Sequence, residues 1–199
     1  MRILIVGGRG TIGRVIAAHY AQDHEVIIAG RTADIEVDIA DSASIKRMLD
    51  SVGQIDALIC AAGEARWALF KDLSEEDYYI GLRSKLMGQV NLVRLGQDYL
   101  STGGSITLTT GILADDPVVK TASAAMVNGG IHSFVRAAAL ELPNSIRLNA
   151  VSSGVVEAAY EKYASYFPGH PPIPMQKMLY AYIRSVEGKG TGQVIRVYS

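Results

Sequence analysis

The first thirteen residues constrain the fold of this chain more than any other segment. Residues 2–6 read RILIV, which is typical of a β-strand, and they lead directly into glycines at positions 7, 10 and 13. Gly7 permits a tight turn, Gly10 lets the backbone approach a ligand, and Gly13 lets a following helix lie close to the strand. Because the N–H groups at a helix start favour anions, the segment predicts a cradle for the pyrophosphate of a dinucleotide. The alternative is a glycine loop without a ligand.

Length and charge limit the classes of protein to which the chain belongs. With 199 residues, 49% of them hydrophobic, it is long enough for one domain and short for two. The net charge of −1 gives no reason to expect nucleic acid or an anionic membrane as a partner. Cys60 is the only cysteine, which excludes an intrachain disulfide and favours a reducing compartment. Since the start lacks a signal-peptide pattern and no apolar run is long enough to span a membrane, we expect a cytoplasmic protein. The four histidines lack metal-ligand spacing, so no metal site is predicted.

Short β-rich runs alternate with longer helical segments along the chain. This alternation predicts an α/β fold with a single-domain, doubly wound parallel sheet of about seven strands and helices on both faces. Only residues 30–34 separate the second and third strands, so one covering helix should be missing there. The predicted strands are 2–6, 25–29, 35–37, 55–60, 104–110, 145–151 and 193–198. The predicted helices are 11–22, 42–52, 74–100, 120–142 and 175–187.

A segment near 156–175 stands out by its composition. Residues 160–174 are rich in tyrosine, proline and glycine. This composition predicts a lid or substrate loop, with a plain surface connection as the alternative.

Further motifs follow the glycine turn in a fixed order. Asp38 and Ile39 form an acidic-apolar pair, Ala61-Ala62-Gly63 follows the fourth strand, Thr109-Thr110-Gly111 ends the fifth, and residues 147–154 read RLNAVSSG. In this order they resemble the short-chain dehydrogenase/reductase superfamily over nearly the whole chain. The resemblance implies a Rossmann fold over 1–199 and a nicotinamide dinucleotide as the cofactor. It also implies that Asp38 contacts adenine and that Thr110 takes the place of the catalytic serine.

The tyrosine and lysine that this superfamily uses for proton transfer are absent. No lysine of the chain has a tyrosine four residues before it. Alignment on the end of helix 120–142 puts Ala124 at the tyrosine position and Asn128 at the lysine position, while the family's active-site asparagine falls on Lys85. The chain therefore resembles an atypical subgroup that keeps the glycine motif without the usual active site. A positioned general acid contributes about 10²–10⁴ in rate, so efficient carbonyl reduction by the usual route is not expected.

The charge after the second strand favours NADP over NAD. An NAD site places a carboxylate there, whereas this chain has Gly30 and Arg31. Arg31, with Arg9 from the glycine turn, suits a 2′-phosphate; two solvated arginines are the alternative. The motifs and these arginines together assign cofactor contacts to Gly7, Arg9, Gly10, Thr11, Ile12, Gly13, Arg31, Asp38, Ile39, Ala61, Ala62, Gly63, Ser153 and Gly154.

Two functions of different class follow from this sequence. The first is an NADP(H)-dependent oxidoreductase with a degenerate or rebuilt active site, in which Lys85 and Thr110 act on a small carbonyl or alcohol. For Lys85, a structural ion pair is the alternative role. The second is a non-catalytic NADP(H)-binding sensor or scaffold. The fold alone does not choose between them.

Helix 120–142 contains Gly129 and Gly130, each of which costs about 1 kcal/mol relative to alanine inside a helix. Close approach of a neighbouring backbone would offset that cost. A face of small residues, which includes Ala122, Met126 and Ser133, therefore predicts a homodimer or homotetramer. Burial against the chain's own lid is the alternative.

Overall fold

The computed structural model describes residues 1–198, which form a seven-stranded, fully parallel sheet with helices on both faces. The predicted doubly wound α/β fold is confirmed. The strands are β1 Arg2–Val6, β2 Glu25–Gly30, β3 Ile35–Glu36, β4 Ile55–Cys60, β5 Leu100–Gly111, β6 Arg147–Ser153 and β7 Val194–Val197. The α-helices are α1 Gly13–Tyr20, α2 Ser42–Val52, α3 Glu75–Gly81, α4 Gly88–Gly96, α5 Ala122–Ala138, α6 Tyr160–Tyr163 and α7 Met175–Glu187.

The hydrophobic core lies in two layers, one on each face of the sheet. Strands β1 and β4 are buried on both faces, which explains their unbroken apolar runs. On one face, α2, α4 and α5 pack against the sheet, with Ile45, Leu92 and Ile131 fully buried. On the other face, α1 and α7 do so through Ile16 and Met178. Among the helices within residues 1–198, none has both the length and the apolar composition needed to cross a bilayer.

The strand order is β3-β2-β1-β4-β5-β6-β7. Successive strands are therefore added on one side of β1 up to β3 and on its other side from β4 onward, so the strand order reverses between β1 and β4. In open parallel sheets, ligands bind in the crevice at the carboxyl ends of the strands where the order reverses. Only residues 31–34 connect β2 to β3, and no helix covers this step. This agrees with the expected loss of one covering helix, and it brings the short loop to the edge of the crevice.

Several predicted boundaries were wrong, each for a local reason. The predicted helix 74–100 is interrupted by wider π-type turns at Leu82–Met87, between Gly81 and Gly88, and β5 begins already at Leu100. Helix α5 ends at Ala138, a few residues before Pro143, which disfavours helix in the residue preceding it. Strand β6 begins at Arg147 because residues 144 and 145 have positive φ angles, 55° and 57°, and form a turn. The predicted helix 11–22 is shorter, at Gly13–Tyr20.

The two glycines inside α5 have different surroundings. A Cβ on Gly130 would lie 3.1 Å from the side-chain methyl carbons of Leu86, so close packing within the chain accounts for this glycine. A Cβ on Gly129 would meet nothing within 4 Å. Neighbouring residues Ala122, Met126 and Ser133 are exposed, so in the described part of the chain the lid does not cover this face.

Candidate functional site

The glycine turn after β1 is packed so tightly that two of its three motif glycines have no room for a side chain. Gly7 has a φ of +85°, and a Cβ there would stand 2.9 Å from the carbonyl carbon and oxygen of Ala61. A Cβ on Gly13 would lie 2.2 Å from the carbonyl oxygen of Gly7. A Cβ on Gly10 would lie 3.3 Å from the same oxygen and is otherwise free. Gly7 and Gly13 therefore shape the turn, while Gly10 leaves open space in front of it.

The start of α1 is available to an anion. In the described residues no side chain caps this helix, and its first turn contains no acidic residue. The backbone N–H of Arg14 donates to the carbonyl of Gly10 over 3.0 Å, which ties the helix to the turn. Uncapped N–H groups and the helix dipole together suit a phosphate at this end.

A cavity of about 520 Å³ lies in front of this turn, at the carboxyl ends of β1, β2 and β4. The predicted cofactor residues that line it are Gly7, Arg9, Gly10, Arg31, Asp38, Ile39, Ala61, Ala62 and Gly63. The sequence analysis did not assign the other residues of its wall to the cofactor, which are Val6, Ala29, Gly30, Thr32, Ala33, Val37, Ala40, Glu64 and Ser84. The short β2–β3 connection was a usable signal for residues 32 and 33, but nothing in the sequence pointed to Glu64 or Ser84.

Asp38 stands on the wall of this cavity immediately beyond β3. Its carboxylate accepts a hydrogen bond of 2.9 Å from the backbone N–H of Ala40, and its own N–H donates to Ser44 Oγ over 3.1 Å. These contacts fix the backbone beside Ile39, which also lines the cavity.

Both arginines reach the rim of the cavity, and each has an acidic neighbour. The guanidinium of Arg9 donates to the carbonyl of Thr32 and lies 3.1 Å from a carboxylate oxygen of Asp34. The Arg31 guanidinium lies 3.6 Å from the carboxylate of Glu64. All four charged side chains are largely exposed, so these ion pairs contribute little to stability and are open to exchange for a ligand.

A second, smaller cavity of about 210 Å³ lies at the carboxyl ends of β5 and β6. The predicted site residues that line this cavity are Ile12, Thr110, Asn128, Ser153 and Gly154. Thr11 and Gly13 belong to the walls of neither cavity. The other side chains that line the smaller cavity are aliphatic and aromatic. Among them is Trp67, which the sequence analysis missed.

The predicted lid segment forms one side of this second cavity. It consists of short helical turns over residues 157–166, and a single bridge joins Val156 to Ile173 in parallel. Tyr163 and Phe167 line the cavity, and the ring centre of Tyr163 lies 5.3 Å from that of Trp67. The location suits a lid, although closure of this segment stays a prediction.

The sequence analysis predicted that Ala124 and Asn128 of α5 occupy the tyrosine and lysine positions, and both lie beside this region. Ala124 is buried in one hydrophobic cluster with Phe167 and Val155, so apolar side chains occupy its surroundings. Thr110 Oγ1 donates to the backbone carbonyl of Asn128 over 3.3 Å. The Asn128 side-chain oxygen is buried and has no hydrogen-bond partner in the described chain. In this region Thr110 thus presents a hydroxyl and Asn128 presents an amide. Neither these two residues nor Ala124 has an ionisable side chain.

Lys85 is not among the residues that line either cavity. It sits in the π-type turns of residues 82–87, and its Cα and Cγ would stand 2.9 Å from a Cβ on Gly63. Burial lowers the pKa of its ammonium group, while nearby Cys60 opposes this change. Within residues 1–198, no carboxylate lies within ion-pair distance of Lys85, so these residues do not form the structural ion pair that was the alternative role for Lys85. Its role as a proton donor stays a prediction.

Comparison with known proteins decides the family. A family model described as Enoyl-(Acyl carrier protein) reductase matches residues 12–172, most of the chain. The chain belongs to the short-chain dehydrogenase/reductase superfamily. It is also similar to versicolorin reductase 1 of Dothistroma septosporum, with 30% identity over 157 residues. This match covers 73% of the chain and 59% of that relative. The chain therefore spans little more than half the length of the relative.

Solved structures extend the similarity to the whole chain. The protein lin1944 from Listeria innocua is 43% identical, with a TM-score of 0.97 and complete coverage of both chains. A small-chain dehydrogenase in complex with NADPH is 28% identical, with a TM-score of 0.89 and coverage of 100% of this chain and 96% of that one. The similarity to these structures therefore includes the glycine turn as well as the lid region.

In this superfamily member, an ionic cluster fixes the loop between β5 and α5, next to the second cavity. The Asp115 carboxylate accepts from the Arg196 guanidinium at 2.8 and 3.1 Å and from the Tyr198 hydroxyl. The hydrogen bond from Arg196 lowers the pKa of Asp115 from 3.8 to about 2. Burial and the hydrogen bond to Asp115 raise the pKa of Tyr198 to about 12.

This cluster predicts a specific pH dependence of stability. Because the folded-state pKa of Asp115 lies below its unfolded value, its contribution is present above about pH 4 and is lost as the pH falls to about 2. Asp115→Asn should lower the free energy of unfolding by about 1–2 kcal/mol at pH 7, allowing for exposure to solvent. Urea titrations at several pH values measure this difference. A difference that stays constant from pH 7 to pH 3 would contradict the assignment.

Proposed function

We propose that the chain is an NADP(H)-binding oxidoreductase-like protein with a degenerate active site, acting on a small carbonyl or alcohol. The observation that carries the proposal is the turn after β1, where Gly7 and Gly13 exclude side chains, Gly10 lines the larger cavity, and the start of α1 has no side-chain cap. This arrangement fits a pyrophosphate, which needs close backbone approach and unpaired N–H donors.

The residues around the larger cavity fit the remaining parts of the dinucleotide. Asp38 and Ile39 would hold the adenine end, and Arg9 and Arg31 would bind a 2′-phosphate on exchanging their present acidic neighbours. Bound NADPH would supply a hydride. The solved relative in complex with NADPH supports this choice of cofactor.

The preference for NADP over NAD is tested by removing one arginine. Arg31→Ala should weaken NADPH binding by about 1.5–3 kcal/mol, because a charge-assisted phosphate contact is lost. NADH binding should change little. Titration calorimetry with both cofactors measures the effect, and Arg94→Ala, an exposed arginine of α4 outside the cavity wall, is the matched control. If both cofactors weakened equally, Arg31 would have no role in selecting NADP.

A non-catalytic NADP(H)-binding sensor is the second candidate function. One observation favours it: Ala124 and Asn128 leave α5 without the tyrosine and lysine used for proton transfer and ribose positioning in this superfamily. With the lysine absent, the nicotinamide half would be held more loosely than the adenine half. A sensor would bind NADPH and show no turnover with aldehydes, ketones or quinones.

We also propose that the exposed face of α5 packs against a second copy of the chain, giving a homodimer or homotetramer. Gly129 opens to empty space and Met126 is 43% exposed, so this face has room for a neighbouring backbone. Met126→Glu should reduce the assembled mass to that of the monomer in sedimentation equilibrium, because a charge would be buried at the contact. The matched control is Leu140→Glu, since Leu140 is 87% exposed and lies beyond the end of α5. A native protein that sediments as a monomer would contradict the proposal.

A further inference from the structure

The wall of the larger cavity carries charges of both signs. In the described part of the chain its arginines are Arg9 and Arg31, and its carboxylates are those of Asp38 and Glu64. Positive charge favours a cofactor with a 2′-phosphate, because a phosphate monoester carries about −1.5 to −2 at pH 7. Each carboxylate on the wall opposes this attraction.

The two carboxylates have different surroundings. That of Asp38 accepts a backbone hydrogen bond of 2.9 Å within its own turn. That of Glu64 instead faces a positive charge, since its Oε1 lies 3.6 Å from Nη1 of Arg31. Asp34, the acidic neighbour of Arg9, is not on the cavity wall, and its side chain is 98% exposed. Glu64 is therefore the carboxylate of the wall that stands against an arginine.

The ion pair of Arg31 and Glu64 joins two loops across the crevice. Arg31 follows β2 and Glu64 follows β4, and β1 lies between these two strands in the sheet. On the Glu64 side, Gly63 has a φ of +122°, and a Cβ there would stand 2.9 Å from the Cα of Lys85. The backbone N–H of Glu64 donates to Ser84 Oγ over 3.4 Å. These contacts hold Glu64 beside the crevice.

A 2′-phosphate that binds Arg31 would meet this carboxylate in one of two ways. The guanidinium has five N–H donors, and the phosphate takes either the donors that face Glu64 or those beside them. In the first case it displaces the carboxylate, and in the second it lies close to another anion. Both cases lower the affinity for a ligand with a 2′-phosphate, and neither acts on a ligand without one.

We propose that Glu64 is a specificity-determining residue, which competes with the 2′-phosphate for Arg31 and so limits the preference for NADP over NAD. The inference rests on the proposed function, since it requires the dinucleotide to bind in the larger cavity. It adds that the native chain does not reach the full preference that its arginines allow.

Glu64→Gln tests the proposal, because it removes the charge and keeps the size of the side chain. NADPH should bind about 3- to 10-fold more tightly to this variant, the effect of one charge pair near the surface. NADH affinity should change by less than about 2-fold. Titration calorimetry at low salt measures both affinities. NADPH affinity that stays the same or falls would overturn the proposal.

Glu76→Gln is the matched control. It changes the net charge by the same amount, and Glu76 is an exposed residue of α3 outside the cavity wall. NADPH affinity should therefore change by less than about 2-fold in this variant. A gain as large as that of Glu64→Gln would show that net charge, and not the position of Glu64, sets the affinity.

A second substitution and added salt separate competition at Arg31 from other effects. In an Arg31→Ala background, Glu64→Gln should change NADPH affinity by no more than about 2-fold, because the guanidinium for which the two anions compete is gone. The gain in the native background should also shrink as the ionic strength rises to about 1 M, where the Debye length is about 3 Å. Equal gains in the two backgrounds would contradict competition for Arg31.

Failure of this inference differs from failure of the proposed function. If NADPH binds and Glu64→Gln leaves its affinity unchanged, Glu64 loses its role and the cofactor site remains. If neither the native chain nor Glu64→Gln binds NADPH or NADH, the proposed function is wrong, and the role of Glu64 falls with it.

Discussion

Replacement of Gly10 by leucine should weaken NADPH binding by at least about 100-fold while leaving the fold intact. Gly10 is exposed, and a Cβ there meets only the Gly7 carbonyl, at 3.3 Å, so the added side chain would extend into the larger cavity. The free energy of unfolding should change by no more than about 0.5 kcal/mol, as for most surface substitutions. Titration calorimetry and urea unfolding measure the two quantities.

Gly13→Ala is the contrasting variant in the same turn. Its Cβ would lie 2.2 Å from a backbone oxygen, so the turn and α1 must move apart. We expect the free energy of unfolding to fall by about 1–3 kcal/mol, as for other overpacked sites. A Gly10→Leu protein that binds NADPH like the native one would show that the dinucleotide does not use this turn.

Carbonyl reduction by the native protein should be slower than that of an ordinary enzyme by about 10²–10⁴, since α5 offers Ala124 and Asn128 in place of a proton donor and its lysine. NADPH oxidation with a panel of aldehydes, ketones and quinones measures the rate. A turnover number in the ordinary range of about 1–10³ s⁻¹ would overturn the expectation.

A variant of Lys85 tests which group donates the proton in any residual turnover. If the desolvated ammonium of Lys85 is the rebuilt donor, Lys85→Met should abolish residual turnover with little effect on NADPH affinity. Lys177→Met is the matched control, because Lys177 is an exposed lysine of α7, whereas Lys85 is partly buried against Gly63. Residual turnover that survives Lys85→Met would place the donor elsewhere, and the Thr110 hydroxyl on the wall of the smaller cavity is then the remaining predicted candidate.

Much of the fold was predictable because local signals and burial agree. The apolar runs of β1 and β4 are buried on both faces, so their composition alone indicates central parallel strands. Helix α2 was placed within its true bounds, since Asp41 caps its start and Gly53, at a φ of +73°, ends it. The π-type turns at 82–87 gave no such signal, because their geometry depends on packing around Gly81 and Gly88.

The candidate site was less predictable, since it depends on which loops meet. Motif residues identified most of the wall near the glycine turn, but Glu64 and Ser84 come from segments distant in sequence. Trp67 and Phe167 likewise meet only through the folded lid. The acidic neighbours of Arg9 and Arg31 were missed because ion pairs between loops leave no periodic pattern in the sequence.

Calorimetric titration of the native protein with NADPH and with NADH tests the central claim most directly. We predict one site that binds NADPH roughly 10- to 150-fold more tightly than NADH, the effect of one charge-assisted phosphate contact. Equal affinity for the two cofactors would contradict the role of the arginines. Absence of binding for both would contradict the assignment of the larger cavity to a nicotinamide dinucleotide.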